Sequence, residues 1–114
     1  MMDSFTLRLL SLKCLQAQEN DGDEIYVTIA DRTVWSVGTL RMSEQLADDE
    51  QADEVDFVNG RVKTRNGWVS MKGFEPGAFA VDVRGDAVQL QLCESDMLLG
   101  DDVIGEATIT PADA

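Results

Sequence analysis

Apolar and polar residues alternate with a period of two over several short stretches of the chain. The alternating apolar residues are Phe5, Leu7 and Leu9 in FTLRLLSLKCL, Val81 and Val83 in GAFAVDV, and Val88, Leu90 and Leu92 in AVQLQLC. Because successive side chains of a β-strand point to opposite faces, this period is typical of strands with one buried face. The pattern therefore predicts a strand in each stretch, with the last two separated at Arg84 to Asp86.

Two other stretches are predicted to form β-hairpins. IYVTIADRTVWSV holds two β-branched and aromatic runs around Asp31-Arg32, although that turn lacks the usual Gly. VDFVNGRVKT contains Asn59-Gly60, which suits the positive φ angles of a type I′ turn. Trp35 and Trp68 lie in strand-like runs beside apolar residues, so both are predicted to be strand and core residues. Several short strands with turn signals between them predict an all-β protein, an antiparallel sandwich or barrel.

One acidic segment, SEQLADDEQADE at 43–54, departs from this pattern. It is rich in helix formers and has acids near its start, but it contains almost nothing apolar to bury. It is predicted to be either a short helix N-capped by Ser43 or a solvated loop. The 114 residues of the chain suffice for one hydrophobic core, so a single domain over 1–114 is expected, with this segment as an insertion.

The net charge of -13 limits the classes of partner. An acidic surface repels nucleic acid phosphates and anionic lipid headgroups, so we expect no nucleic acid binding and no membrane association without Ca²⁺. Most of this charge is interpreted as solvated surface. The chain shows no leader and no apolar run of the roughly 18 residues that a membrane span needs, which predicts a cytoplasmic protein. Cys14 and Cys93 lack CxxC spacing and are predicted to be buried free thiols.

Conventional catalytic chemistry is not expected. The chain has no histidine, which excludes Ser-His-Asp and Cys-His sites and most zinc sites. It also contains no phosphate-binding glycine motif. An EF-hand with Gly22 at its sixth position would place Ala17 first and Thr28 twelfth, where carboxylates are required. We therefore expect a protein that is not an enzyme and has no EF-hand.

The stretch LCESDMLLGDDVIG consists of an apolar strand, an acidic loop without a basic residue, and the start of a second strand. Its acids follow the pattern E-x-D-x5-D, from Glu94 through Asp96 to Asp102. Because Ca²⁺ takes roughly six to eight oxygen ligands, several carboxylates must converge from one flexible loop. The stretch resembles the third calcium-binding loop of C2 domains, which runs D-x-D-x5-D and continues with two apolar residues and Gly, here 103–105.

A second loop supports the resemblance. DGDEIYV is similar to the family's D-x-x-G-x-S-D-P-Y-V, with Glu24 at the position of the Asp and Ile25 in place of the Pro. The earlier Asp of that motif falls on either Glu19 or Asp21. Together, DEIYV, VW and ESD…GDDVIG are similar especially to the small C2-like domains of bacterial proteins. The resemblance covers the N-terminal third and the C-terminal quarter of the chain.

The C2 resemblance implies an eight-stranded antiparallel β-sandwich whose calcium loops gather at one end. It implies a non-enzymatic domain with a structural or regulatory role that binds Ca²⁺. The implied ligands are Glu24, Glu94, Asp96 and Asp102, with Glu19, Asp21 and Asp101 as auxiliary ligands. Two alternatives stay open: such loops also accept Mg²⁺ or Mn²⁺, and Asp and Gly are ordinary turn formers. The alternative function is a metal-independent interaction or adaptor module in a larger bacterial or viral assembly.

Met97, Leu98 and Leu99 form an apolar tip within the acidic loop. They either pack against the end of the sandwich or contact a partner. In membrane-binding C2 domains such tips enter the bilayer once calcium has neutralised the carboxylates. Since no basic strand face of the kind used by lipid-binding members is recognised in this sequence, a protein partner is the expected target.

Overall fold

The computed structural model describes residues 4–18, 22–95 and 100–111. In this part of the chain the protein is all-β, with eleven strands in three sheets and no α-helix, which confirms the predicted fold class. The count of eight strands is not confirmed, because the residues form additional short strands such as β2 (Ser11–Lys13) and β5 (Arg41–Met42). No helix in these residues is long and apolar enough to cross a membrane.

The chain divides into two compact units. The first comprises Met1–Arg8, Ile25–Ser36 and Phe79–Ala114. The second comprises Leu9–Glu24 and Val37–Ala78. The FTLRLLSLKCL stretch is therefore not one strand: β1 (Ser4–Arg8) belongs to the first unit and β2 to the second.

The first unit contains a two-stranded and a four-stranded sheet, both antiparallel. Its further strands are β3 (Ile25–Ile29), β4 (Arg32–Ser36), β9 (Ala80–Arg84), β10 (Val88–Glu94) and β11 (Asp102–Ile109). The orders are β1-β9 and β11-β10-β3-β4. All residues of β3 except Tyr26 are buried, and Trp35 is buried on β4. The core of this unit consists of Ile25, Val27, Ile29, Trp35, Val83, Val88 and Cys93.

The β3–β4 hairpin is confirmed, and its turn has an unusual composition. Ala30 and Asp31 occupy the two loop positions with φ angles of 52° and 65°. Positive φ at both positions is the type I′ pattern, which matches the right-handed twist of the strands. The turn therefore adopts the backbone of Asn-Gly without either residue, and the geometry of the hairpin holds Ala30 in a conformation that it does not favour by itself.

The second unit holds the remaining sheet, in the order β2-β6-β7-β8, with β5 also paired to β6. Its further strands are β6 (Gln51–Asp56), β7 (Arg61–Thr64) and β8 (Gly67–Ser70). The β5–β6 pair is parallel and the others are antiparallel. Its buried apolar residues are Val37, Met42, Ala52, Val55, Phe57 and Val62.

The acidic segment is a loop over 43–50 and a strand from Gln51 onward, so the helix alternative is wrong. In this loop, side-chain oxygens accept hydrogen bonds from backbone N–H groups in place of helical carbonyls. Gln51 Oε1 accepts from the N–H groups of Ala47 and Asp48 at 2.7 and 3.1 Å. Ser43 is buried, and its N–H donates to the carbonyl of Ala52. The insertion therefore ends where burial resumes, at Gln51 and not after 54.

The hairpin predicted around Asn59-Gly60 is present, but the prediction of a type I′ turn is wrong. Asp56 pairs with Arg61, which leaves a four-residue loop over 57–60, and within that loop only Gly60 has a positive φ, 65°. Phe57 is 4% exposed, so its side chain belongs to the core and cannot belong to an exposed two-residue turn. A Cβ at Gly60 would lie 2.1 Å from Cγ of Phe74, which covers this backbone.

Candidate metal-binding site

The β10–β11 hairpin brings two of the predicted ligands together. Glu94 is the last residue of β10 and Asp102 is the first of β11, and they are register partners. Directly opposed residues of an antiparallel pair have Cβ atoms about 4.5–5.5 Å apart and point to the same face. Glu94 is 5% exposed, whereas Asp102 is exposed. A buried carboxylate thus faces a second carboxylate at the mouth of the acidic loop.

A β-bulge lies next to this pair. The register shifts between Leu92 and Cys93, which pair with Gly105 and Val103, so Ile104 is the extra residue. A bulge changes the direction in which the following side chains project and often ends regular pairing. It therefore separates the regular part of the hairpin from its acidic end.

Asp101 is attached to the neighbouring strand. Its Oδ2 accepts a hydrogen bond of 2.7 Å from the hydroxyl of Tyr26 on β3. This hydrogen bond, with a smaller contribution from burial, raises the pKa of Tyr26 well above its usual value. The bond joins the residue that precedes β11 to β3.

Glu24, the predicted ligand of the other loop, forms an ion pair. Its Oε1 lies 3.1 Å from a guanidinium nitrogen of Arg41. The two side chains are 39% and 33% exposed, which makes this a partly solvated pair of modest strength. A cation at Glu24 would have to compete with Arg41. Glu24 lies in the second unit, and Glu94, Asp101 and Asp102 lie in the first.

Asp23, which the sequence analysis did not single out, organises the backbone of the same loop. It is 4% exposed, and both of its carboxylate oxygens accept hydrogen bonds from the N–H of Gln18, at 2.9 and 3.2 Å. Its own N–H and carbonyl exchange hydrogen bonds with Met42. The D-G-D sequence is a signal for such side-chain-to-backbone bonding. Asp23 therefore has a structural role in the folded loop.

Several predicted residues lie outside the described residues. They are Glu19, Asp21, Asp96, Met97, Leu98 and Leu99. Across 4–18, 22–95 and 100–111, no three Asp, Glu or Cys side chains form a group that could hold a metal ion. The predicted ligand set therefore stays a prediction, and Glu94 and Asp102 are the members that the hairpin register brings opposite each other.

The two cysteines are free thiols, as predicted, but only Cys93 is buried. Cys14 is half-buried. Its pKa is raised by burial and then by the carboxylates of Glu44, Asp23 and Asp53. The thiolate is the reactive form, so these surroundings make Cys14 a poor nucleophile at neutral pH.

The prediction for Trp68 is only half right. It lies on β8, but it is 39% exposed, and the guanidinium of Arg61 stands 4.3 Å from the centre of its ring. Arg61 and Lys63 share one face of β7 because they are two residues apart. The prediction that the chain lacks a basic strand face is therefore wrong, and the alternation R-V-K-T-R is the sequence signal for that face.

Comparisons with protein-family models, curated proteins and solved structures found no match to this chain. The C2 resemblance therefore stays a prediction from the spacing of the acids in the sequence.

Proposed function

We propose that this protein is a non-enzymatic, C2-like β-sandwich domain that binds Ca²⁺ in the loop of the β10–β11 hairpin. The observation that carries the proposal is the direct opposition of buried Glu94 and Asp102 across the mouth of that loop. Like charges placed opposite each other destabilise a strand pair. A divalent cation would convert this repulsion into attraction.

The loop supplies further oxygen ligands for such an ion. Asp96 lies within it in the sequence, and Asp101 directly precedes β11, next to Asp102. No Lys or Arg follows Arg84 in the sequence, so no basic side chain of this C-terminal segment competes with a cation. The first loop contributes less to the proposed site, because its main ligand Glu24 is already paired with Arg41. The auxiliary ligands of that loop are Glu19 and Asp21. The role of the bound ion would be structural or regulatory.

A titration of the isotope-labelled apo protein with CaCl₂, followed by amide NMR, tests this proposal. We expect saturable shifts concentrated between 94 and 102, with smaller ones in 19–24, and no such shifts with NaCl at matched ionic strength. MgCl₂ and MnCl₂ test the choice of cation. Shifts spread evenly over the acidic residues would instead indicate general screening. The absence of localised shifts would favour the metal-independent interaction module.

A further inference from the structure

The hairpin formed by β7 and β8 is the most cationic segment of the chain. Residues 57–74 contain no Asp or Glu, and they hold four of its nine basic residues. These are Arg61, Lys63, Arg65 and Lys72. In a protein with a net charge of -13, this reversal of charge marks a distinct surface.

β8 is the end strand of its sheet, with no strand beside it on the outer side among the residues that the structure describes. Trp68 and Val69 on this strand are 39% and 46% exposed. Proteins usually protect such edges with charged side chains, proline or bulges placed on the edge strand itself. The sequence of β8, GWVS, has none of these, and its pairing with β7 is regular.

The register shows which backbone groups point outward. The N–H of Met71 donates to the carbonyl of Gly60 at 2.8 Å, just beyond the pair Arg61–Ser70. Bonded and non-bonded pairs alternate along an antiparallel ladder. Val69 therefore bonds to β7, and the N–H and carbonyl groups of Trp68 and Ser70 point to the open side.

The two faces of this edge differ in chemistry. Trp68 lies opposite Lys63, and Arg61 stacks on the Trp68 ring, so this face is cationic and aromatic. Val69 lies opposite Val62, which is buried, so the other face is apolar. A strand added beside β8 would place alternate residues on these two faces. Acidic residues suit the first face and apolar residues suit the second.

The distance of an added strand from each charged side chain decides whether attraction or repulsion dominates. Arg61 and Arg65 form ion pairs with Asp56 and Asp49, and Lys63 has Glu54 of β6 as its register partner on the side away from β8. The attraction therefore depends on how far an added strand lies from these acids and from the basic side chains. With a strand spacing of about 4.8 Å, an added strand would lie about 10 Å from β7 and about 14 Å from the acids of β6. The screening length at physiological salt is about 8 Å. The long cationic side chains of β7 therefore act on an added strand more strongly than the carboxylates of β6.

We propose that the open edge of β8 binds an extended segment of a partner protein, in which acidic and apolar residues alternate, as an added antiparallel or parallel β-strand. Main-chain hydrogen bonds would supply affinity, and the two faces would supply selectivity. Nucleic acid fits this edge less well, because it has no backbone amide ladder and a long polyanion would meet the acids elsewhere on the surface. This proposal goes beyond calcium binding and does not depend on it.

The test uses the full chain and a labelled peptide, Gly-Val-Glu-Val-Glu-Val-Glu-Val-Gly, with fluorescence anisotropy. We expect saturable binding that weakens as salt is raised. Ser70→Pro removes an outward N–H without removing a bond to β7, and it should weaken binding by about tenfold or more, while Ser70→Ala changes it less than about twofold. Lys63→Gln should weaken binding by about threefold and reduce its salt dependence.

Two control peptides separate specific strand addition from simple attraction. A peptide with Lys in place of each Glu, and one with the order Val-Val-Val-Val-Glu-Glu-Glu, should both bind at least about tenfold more weakly. Equal binding of the second peptide, or unchanged binding by a folded Ser70→Pro chain, would overturn the proposal. If Ser70→Pro does not fold, Trp68→Ala and Lys63→Glu take its place, and binding that both variants leave unchanged has the same meaning.

Two further measurements exclude other occupants. Tighter binding of a single-stranded oligothymidylate, lost in Lys63→Glu, would assign the edge to nucleic acid and overturn the proposal. Concentration-dependent dimerisation of the unmodified chain, abolished by Ser70→Pro and retained in Ser70→Ala, would assign it to a second copy and overturn it equally. We expect a monomer in analytical ultracentrifugation and no such oligonucleotide binding.

Discussion

Two hairpins of this protein carry a carboxylate at the same place but with opposite surroundings. In the β6–β7 hairpin, Asp56 ends the first strand and its register partner is Arg61. In the β10–β11 hairpin, Glu94 ends the first strand and its register partner is Asp102. The residue across the ladder therefore decides whether the acid closes a turn or contributes to a concentration of negative charge.

Both carboxylate oxygens of Asp56 accept hydrogen bonds within its own turn. Its oxygens accept hydrogen bonds from the N–H groups of Val58 and Asn59 at 3.0 and 3.1 Å, and from Nδ2 of Asn59 and Nε of Arg61 at 2.9 Å each. These donors are local, within five residues of Asp56. The loop of the other hairpin has no basic residue that could donate as Arg61 does. The contacts of Asp56 therefore support a structural role for it in its own turn.

The largest expected effect tests the packing of the β6–β7 loop. Gly60→Ala introduces a Cβ at φ 65° and 2.1 Å from the Phe74 ring. The left-handed backbone costs about 1–2 kcal/mol and the overpacking about 1–3 kcal/mol more, so a loss of about 2–5 kcal/mol is expected in the free energy of unfolding. Urea denaturation measures it.

Gly73→Ala is the matched control for that substitution. Its φ of 73° is nearly the same, but nothing lies within 4 Å of a Cβ at this position. It should cost only the backbone part, about 1–2 kcal/mol. Equal losses for the two variants would show that Phe74 does not pack on Gly60 in solution.

Calcium should stabilise the other hairpin. If the dissociation constant is about 10⁻⁴ M, the range of exposed loops with imperfect ligands, then 10⁻² M Ca²⁺ adds about 2.7 kcal/mol to the free energy of unfolding. For a domain of this size that is a rise on the order of 10 °C in the melting midpoint. Differential scanning calorimetry with and without CaCl₂ measures it.

Sodium chloride at matched ionic strength is the control, since it screens all acids alike. Asp96→Asn and Asp102→Asn should each remove most of the calcium-specific rise. Asp31→Asn, on the β3–β4 turn, should leave it unchanged. If Asp96→Asn and Asp102→Asn gain as much from calcium as the unmodified chain, the acidic loop is only a solvated surface.

One substitution made in both hairpins should have opposite effects. Asp102→Asn in the apo protein relieves repulsion with Glu94 and should raise the free energy of unfolding by about 0.5 kcal/mol. Asp56→Asn loses charge-assisted hydrogen bonds and should lower the melting midpoint. Thermal unfolding without divalent cations compares the two. A loss of stability in both variants would mean that the carboxylate of Asp102 also has favourable partners in the apo state.

Alternation, β-branched and aromatic runs, and turn residues were sufficient to predict the all-β class and the β3–β4 and β6–β7 hairpins. The two-residue period predicted strands with one buried face, and Val83 and Val88 of these strands lie in the core, while Gly60 marks a loop that needs positive φ. The predicted hairpin end also put Glu94 and Asp102 near each other. These features are local, because they depend on residues close together in the sequence or joined by one short loop.

Long-range features were not predictable from the same signals. The turn at Asn59-Gly60 was assigned two residues, because the burial of Phe57 depends on its sheet and not on its neighbours in sequence. Glu24 was predicted to be a ligand from its local motif, and that motif does not show that Arg41, from another strand, lies 3.1 Å from it. The exposure of Trp68 follows from the position of β8 at the sheet edge, which periodicity does not encode.

The smallest effect concerns protonation of the β6–β7 turn. Hydrogen bonds from the side chain and backbone of Asn59, followed by that from Arg61, lower the pKa of Asp56 to about 2. A carboxyl whose pKa is lowered on folding stabilises the folded state above its usual pKa of about 3.9, and this contribution is lost as the pH falls toward 2. Asn59→Ala removes the Nδ2 donor and should move the midpoint upward, toward the usual value. Carboxyl carbon NMR, recorded on the folded chain from about pH 1.5 to 6, follows the titration of Asp56 directly.

Asn66→Ala is the matched control, because Nδ2 of Asn66 donates to Asp49 and not to Asp56, so the midpoint of Asp56 should stay where it is. A midpoint near 4 in the unmodified chain, or one that Asn59→Ala does not raise, would show that the hydrogen bonds of this turn are not maintained in solution. The contrast between the two hairpins would then have to rest on the register pairs Asp56–Arg61 and Glu94–Asp102 alone.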